Sequence, residues 1–441
     1  MKDLTLPLMS DNIDRADIDC LIEFLQQEPI PRLTNGPKVM EFEKAWSDWL
    51  GVKHSVFVNS GTAANELSML ALKYLYPEGG EIVIPPLAWV SDVNSVLFAG
   101  FDPVFIDINL NNLSFDLDKL EKSINENTRA IFVTHVLGLN ALSDRLLKLC
   151  VDNDILLIED VCESHGATHN DIKLGSIGFA SNFSFYFAHH MSTIEGGMVC
   201  TNDDYFYQLC RSLRSHGMVR EFTDDNLIKK YAEDYPDLNQ DFVFIGKGHN
   251  FRSTELNAVF GLCQLKKLDS NNQTRIDNFK HFVGKLNPKK YHVDFKMDGQ
   301  CNYAFIVILK EPDIGLRDRI EKIMNDNGIE FRRGLSGGGN QLRQPYFRDN
   351  YKGYLTLHKH PKTRLLHFIG QWVTISFTIV VLYNSFWYLI PLIPFVVYPF
   401  AWSGHYFFEK NEPAAFNEPI KAKLSDWIMF KDILVGKLKI W

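Results

Sequence analysis

The sequence predicts an α/β domain on a mostly parallel central sheet, then a second, smaller α/β segment, then a tail of two membrane-spanning helices. Three observations predict it. Between about residues 50 and 200, short β-rich apolar runs alternate with amphipathic helical stretches, the pattern of a repeating strand–helix domain. After Tyr346 the composition changes, and residues 368–383 (FIGQWVTISFTIVVLY) and 386–402 (FWYLIPLIPFVVYPFAW) carry no charge. A chain of 441 residues that is 46% apolar is long enough for two or three cores. The expected divisions are 1–205 for a large domain with an N-terminal arm, 206–346 for its remainder and a partial small domain, and 351–441 for the tail.

In order along the chain, SVFVN, EIVIP, PVFID, AIFVTH, ILLIED and FSFYF read as strands with helices between most of them. Ligands then belong at the strand C-termini. The first such end is VFVNSGTAANELSML, where a strand closing at Asn59 meets a helix opened by Ser60, Gly61 and Thr62. Free backbone N–H groups and a hydroxyl at that point suit an anion such as phosphate. ILLIED ends in Asp160, a carboxylate placed to pair with a pyridinium nitrogen. Trp89, in PPLAWVSD, is placed to stack on a cofactor ring, and Ser184 is a further phosphate ligand candidate. Downstream, TELNAVFGLCQLKKLD reads as a helix and SGGGNQ (336–341) as a glycine-rich loop.

Composition excludes other classes. A formal charge of −8 with no basic stripe argues against nucleic acid as a partner. Seven cysteines without a C-x-x-C pair argue against a zinc site, an iron–sulfur cluster or a disulfide framework, and for a reducing compartment. The acidic N-terminal stretch MKDLTLPLMSDNIDRAD lacks the apolar run of a signal peptide, so the first domain is expected to stay in the cytoplasm.

With SGTAAN, EDVCESHGA, SFYFAHH, EGG and NFRSTELNA in that order, residues of about 5–345 resemble the DegT/StrS family of pyridoxal-phosphate-dependent sugar aminotransferases, which have the aspartate aminotransferase fold. The resemblance implies Ser60, Gly61, Thr62 and Ser184 near the cofactor phosphate, Trp89 on the ring, Asp160 at the pyridine nitrogen, and Glu163 near the ring hydroxyl. It also implies a homodimer in which Asn250 reaches the neighbouring subunit's cofactor. Most of that family has a lysine, which binds the cofactor covalently, where this chain has His189, and no lysine occurs between Lys173 and Lys229. An imidazole cannot take over that bond but can move a proton at neutral pH.

AHHMSTIEGG and EFRRGLSGGGNQLRQPY (330–346) are similar to the sugar 3-dehydratases of the family, which act on GDP-4-keto-6-deoxymannose. That branch implies pyridoxal or pyridoxamine phosphate held non-covalently, a nucleotide-linked keto-deoxysugar as substrate, glutamate as amino donor, and His189 and Glu330 as catalytic groups. Such enzymes continue past QLRQPY to complete their small domain, so a truncated small domain is expected here. An ordinary or inactive aminotransferase relative is the alternative.

The tail has six cationic residues before the two apolar runs (Arg343, Arg348, Lys352, Lys359, Lys362, Arg364) and six after them (Lys410, Lys421, Lys423, Lys431, Lys437, Lys439). Positive flanks put both ends, and the catalytic domain, on the cytoplasmic side of a bilayer. His360, His367 and His405, with Glu409, are residue types that bind iron or zinc. Residues 351–441 resemble a two-span membrane family that includes Fe(II)-dependent 2-hydroxy-fatty-acid dioxygenases, through H-x-H-P-x-x-R-x-x-H-x-x-G, A-W-x-G-H-x-x-x-E-x-N and the closing segment around DWIMFKDILVGK (426–437). Thr363 and Glu412 depart from that pattern. The tail is therefore expected to act as such a dioxygenase or as an anchor alone.

Overall fold

A computed structural model describes residues 5–9, 12–345, 355, 357–411, 413, 419–436 and 438–440. The chain divides into two compact units, residues 1–339 and 340–441. In the first, helices α1 (Arg15–Leu25) and α2 (Pro37–Leu50) precede the sheet domain. There, β1 (His54–Val58), α3 (Gly61–Leu75), β2 (Glu81–Ile84), α4 (Val90–Phe98), β3 (Asp102–Phe105), α5 (Leu117–Ser123), β4 (Thr128–Thr134), α6 (Asp144–Asp152) and β5 (Leu156–Asp160) alternate. A small hairpin, β6 (Thr168–His169) and β7 (Ile172–Lys173), leads to β8 (Ala180–Ser184) and β9 (Gly197–Thr201).

The seven-stranded sheet has the order β1-β9-β8-β5-β4-β2-β3, and within it only β9 runs antiparallel to its neighbours. Its strands are nearly continuous apolar runs because helices cover both faces. The core under it joins Val39, Phe42 and Trp46 of α2 to Phe57, Val133, Leu157, Phe183 and Leu268.

Two expectations need correction here. The run FSFYF was expected to be a strand over 183–187, but β8 ends at Ser184. Phe185 is buried without belonging to the strand, its ring 4.8 Å from that of Trp46, so its apolar character reflects core filling and not sheet pairing. The strand β9 was not expected at all; it is a short run, GMVCT, following a loop.

Helices α7 (Asp204–Arg214), α8 (Asp225–Asp234) and α9 (Glu255–Lys285) follow, and α10 (Ile314–Asp326) closes the unit. The expected helix at TELNAVFGLCQLKKLD begins with its Thr254 cap and runs on to Lys285. The second segment, 205–345, contains no strand among the described residues, only isolated pairings such as Tyr291 with Leu309 and Leu6 with Ile329. The α/β character expected of this segment is therefore not found, because its extended stretches pair only singly. Cys20 of α1 and Cys263 of α9 are bonded, against the expectation of free thiols. Their separation of 243 residues leaves no local spacing signal; the two helices meet only in the fold.

In the second unit, α11 (Pro361–Tyr383) starts with His360 as cap and Pro361 in its first turn. The second apolar run was expected to be one span, and it is one continuous helical stretch, Trp387–Glu409, of mixed pitch. It begins as a 3₁₀ segment (Trp387–Phe395) containing Pro391 and Pro394, where an interior proline removes a helix donor, and continues as α12 (Tyr398–Gly404) and a π turn (His405–Glu409). Gly370 lies against Val397 and Phe400, and Gly404 against Thr363, whose hydroxyl donates to the Gly404 carbonyl at 3.3 Å. Helix α13 (Pro419–Leu434) completes the unit. Arg348, Lys352, Glu412 and Lys437 lie outside the described residues.

One buried ion pair sets the start of the sheet. Arg214 Nη1 meets Glu43 Oε1 at 2.6 Å and donates to the Phe57 carbonyl at 2.9 Å, while Glu43 accepts the Phe57 N–H at 2.8 Å. Glu43→Ala leaves a buried guanidinium uncompensated and is expected to cost about 3–5 kcal/mol. Urea unfolding followed by tryptophan fluorescence checks this; the double variant Glu43→Leu, Arg214→Met should be the more stable of the two.

Candidate functional site

The site grows from the turn between β1 and α3. Ser60 caps the helix, its Oγ accepting the Ala63 N–H at 3.0 Å, so the N–H groups of Gly61 and Thr62 are left at the open end of the helix. Gly61 is required there: a Cβ would lie 2.5 Å from the Ser184 Cβ and 3.2 Å from the Cys162 sulfur. Gly197, at the start of β9, is equally constrained, since its Cβ would come within 2.2 Å of the Ser60 carbonyl oxygen. The structure thus brings Ser60, Gly61, Thr62 and Ser184 together in one cradle, with donors suited to an anionic group.

Two carboxylates lie behind the cradle. Asp160, at the end of β5, accepts the Cys162 N–H at 2.9 Å on Oδ1 and the Asn65 amide at 2.9 Å on Oδ2. The same Asn65 nitrogen reaches Asp92 Oδ1 at 2.9 Å, and Thr134 Oγ1 donates to Asp92 Oδ2 at 2.7 Å. Burial pushes the Asp92 carboxyl well up, and the Asp160 charge adds to it. The Asn65 amide thus bridges the two carboxyl groups, Asp92 and Asp160. Neither Asn65 nor Asp92 was singled out in the sequence, although Asn65 lies one turn into the helix that Ser60 caps.

Glu163 accepts the Leu137 N–H at 2.8 Å and the Ser336 hydroxyl at 2.9 Å. Ser336 comes from the glycine-rich loop, which is how that distant motif reaches the site. Burial raises the Glu163 carboxyl to about 7. Below the unfolded value near 4.5 the group is protonated in both states, and folding favours the protonated form up to about pH 7.

The two histidines of SFYFAHH separate in role. His190 is buried and meets the Cys301 carbonyl at 3.0 Å, a structural contact. The His189 ring lies 5.2 Å from the Tyr303 ring and 6.3 Å from that of Tyr186. Asn12 donates to the His189 carbonyl at 3.3 Å, fixing the loop. His189 Nδ1 is buried without a hydrogen-bond partner among the described residues. Desolvation, helped by the Arg275 charge, holds the imidazole neutral, lowering its pKa to about 3; an anionic ligand would act in the opposite direction and raise it.

The sequence profile of the DegT/DnrJ/EryC1/StrS aminotransferase family matches residues 12–361. The chain belongs to this family. It is 32% identical over 340 residues to GDP-4-keto-6-deoxy-D-mannose 3-dehydratase of Yersinia pseudotuberculosis, covering 76% of this chain and 85% of that one. It is 30% identical over 337 residues to GDP-perosamine synthase of Caulobacter vibrioides, covering 75% and 85%. The structure of E. coli GDP-4-keto-6-deoxy-D-mannose 3-dehydratase with bound hydrated PLP superposes with a TM-score of 0.72 at 29% identity, over 78% of this chain and 88% of that one. The fold is thus that of the pyridoxal-phosphate-dependent aminotransferases.

Three other residues that the family resemblance implied are exposed. Trp89 is exposed at the cap position of α4. Asn250 is exposed, in a stretch paired with Ser215. Glu330 is exposed and accepts the Leu8 N–H at 2.8 Å, which ties it to the N-terminal segment.

In the second unit, three buried histidines converge. His358, His367 and His405 each offer a ligand atom, and these atoms all lie within 4.8 Å of one another. His358 replaces the expected His360. The His360 ring caps α11, its Nδ1 accepting the Lys362 N–H at 3.2 Å, and Glu409 accepts the His360 N–H at 2.6 Å. The H-x-H spacing offered both histidines; Pro361 at the helix start makes the nearer one a cap. The profile described as 2-hydroxy-palmitic acid dioxygenase Mpo1-like matches residues 345–438.

The raised Glu163 carboxyl gives a stability test. Its contribution is fully present below about pH 4.5 and is lost as pH rises through about 7. The Tm of Glu163→Gln minus that of the wild type should therefore grow between pH 5 and 7 and level off above, as read by thermal unfolding across that range.

Proposed function

We propose that the first unit is a 3-dehydratase of a nucleotide-linked 4-keto-6-deoxysugar that uses pyridoxamine phosphate without a covalent link. The observation that carries this reading is His189, an imidazole held neutral in a stretch that has no lysine from 174 to 228. Identity does not choose between the dehydratase and the perosamine synthase, at 32% and 30%. The histidine at 189 supports the dehydratase.

The residues fit such a cofactor. Ser60, Gly61, Thr62 and Ser184 would hold its phosphate in the cradle that a side chain at position 61 would fill. Asp160 would meet the pyridine nitrogen, kept in place by Asn65, whose nitrogen also holds Asp92. Glu163 would meet the ring hydroxyl, and Trp89 the ring face. When bound, the cofactor supplies an amine for the C4 ketone of the sugar and an electron-withdrawing ring. His189 would remove and return the proton at the reacting carbon and protonate the departing C3 hydroxyl. Glutamate is the proposed donor that restores the amine, and a homodimer, with Asn250 at the neighbouring site, is the proposed working form.

The second unit is proposed to anchor the protein to a bilayer, with the catalytic unit on the cytoplasmic side. Supporting this are two helices long and apolar enough to cross a membrane by length and composition, Pro361–Tyr383 and Trp387–Glu409. Their exposed Trp372, Ile379, Leu392 and Phe395 form an apolar surface suited to lipid. The histidine centre favours a second role for this unit, as an oxygenase holding Fe(II), since three imidazoles are a suitable donor set for iron or zinc.

Three outcomes test these readings. His189→Lys should introduce a cofactor linkage trapped by borohydride and abolish dehydration; trapping of wild-type protein on one of its own lysines contradicts the reading. Asp160→Asn should keep the fold, judged by circular dichroism, and lose most of the turnover. The full-length protein should stay with carbonate-washed membranes, and partition into the soluble fraction without detergent refutes the anchor.

A further inference from the structure

We infer that Asp426, on the last helix, positions His367 in a three-histidine metal centre, so that α13 is needed to complete that centre. This rests on the metal reading of the second unit and gives a role to Asp426, the first residue of the closing segment DWIMFKDILVGK, which was not among the expected metal residues. The observation is one of hydrogen-bond commitment. Asp426 Oδ1 accepts from His367 Nδ1 at 2.8 Å, and Oδ2 accepts from the Gln371 amide at 2.5 Å. His367 and Gln371 are one turn apart on α11, so one carboxylate from α13 holds two consecutive turns of its neighbour.

A carboxylate can only accept, which puts the hydrogen of His367 on Nδ1 and leaves Nε2 with its lone pair. His405 shows the same arrangement. Its Nδ1 meets Asn411 Oδ1 at 2.7 Å, while the Asn411 amide donates to the Leu357 carbonyl at 3.1 Å, beside His358. Two of the three rings thus commit the same nitrogen to an outer acceptor and keep the same nitrogen for a shared centre. Outer carboxylates of this kind fix the orientation of metal-bound histidines. Asp426, His358, His367 and His405 are all buried, and a buried carboxylate without such partners is costly. Helix α13 is held there independently by Met429, packed with Leu355 and Leu357.

The centre described is a divalent first-row metal site with three neutral nitrogen ligands and open positions for an exogenous ligand. The test uses full-length protein in detergent or nanodiscs, anaerobic Co(II) as the probe, and visible absorption with a competing chelator as the readout. The wild type should bind Co(II) with ligand-field bands, and His358→Ala should lose them. Asp426→Ala should bind about 10–100-fold more weakly, and Asp426→Asn, which keeps one acceptor oxygen and the volume, should fall between. If Asp426→Ala loses helicity, Asp426→Asn decides. No Co(II) bands in the wild type overturns the metal reading and this inference with it. Bands in the wild type and unchanged affinity in both Asp426 variants overturn the positioning role alone.

Discussion

The candidate active site depends on satisfying one carboxyl group, Asp160, at the buried end of a parallel strand. Asp160 is almost wholly removed from solvent, and a lone charge there is expensive. The fold meets that cost with a backbone N–H and the Asn65 amide, and the same Asn65 nitrogen reaches a second carboxyl, Asp92, which burial pushes toward its protonated form. Each partner comes from a different element: Asn65 from α3, Asp92 from α4, and Thr134, which holds Asp92, from β4. The order of the central strands is therefore also the wiring of the site. Because Asn65 belongs to the helix that Ser60 caps, the anion cradle and the carboxylate are fixed to one rigid body.

The histidine loop is supported from the opposite direction. Asn12 holds the His189 carbonyl, and Gln264 and Lys267 of α9 both donate to the Asn12 carbonyl, at 3.1 and 3.3 Å. Gln264 also reaches the Ser192 N–H and, at 2.6 Å, Asp17 of α1. The N-terminal helix, the long helix and the loop bearing His189 thus share one polar network, next to the bond between Cys20 and Cys263. Glu163 and Ser336 form a third attachment, by which the glycine-rich loop joins the same cleft.

Much of this was legible in the sequence because it depends on local order. Ser60-Gly61-Thr62 after an apolar strand, Asp160 closing ILLIED, and histidine in place of lysine at 189 are each visible within a few residues. What was not legible depends on contacts between distant segments. Asp92 matters only because β4 and β5 stand side by side, and Ser336 only because its loop folds back on Glu163. The strand β9 was hidden by its brevity, and Phe185 was misassigned because core filling and strand pairing leave the same apolar signature. In the tail, two histidines one residue apart could not be told apart by spacing; the demand of Pro361 for a cap assigned one to the helix and left His358 for the cluster.

The two units carry separate chemistry, and the central claim concerns the first. It holds that a neutral imidazole at position 189, in a fold that also builds a cradle shaped for a phosphate, turns an aminotransferase fold toward removal of a hydroxyl. The most direct measurement is mass-spectrometric and NMR identification of the product when the protein is supplied with pyridoxamine phosphate, glutamate and a GDP-linked 4-keto-6-deoxymannose. The account predicts a 4-keto sugar that has lost the C3 oxygen, with the amine released as ammonia. A stable 4-amino sugar that retains the C3 hydroxyl would contradict it.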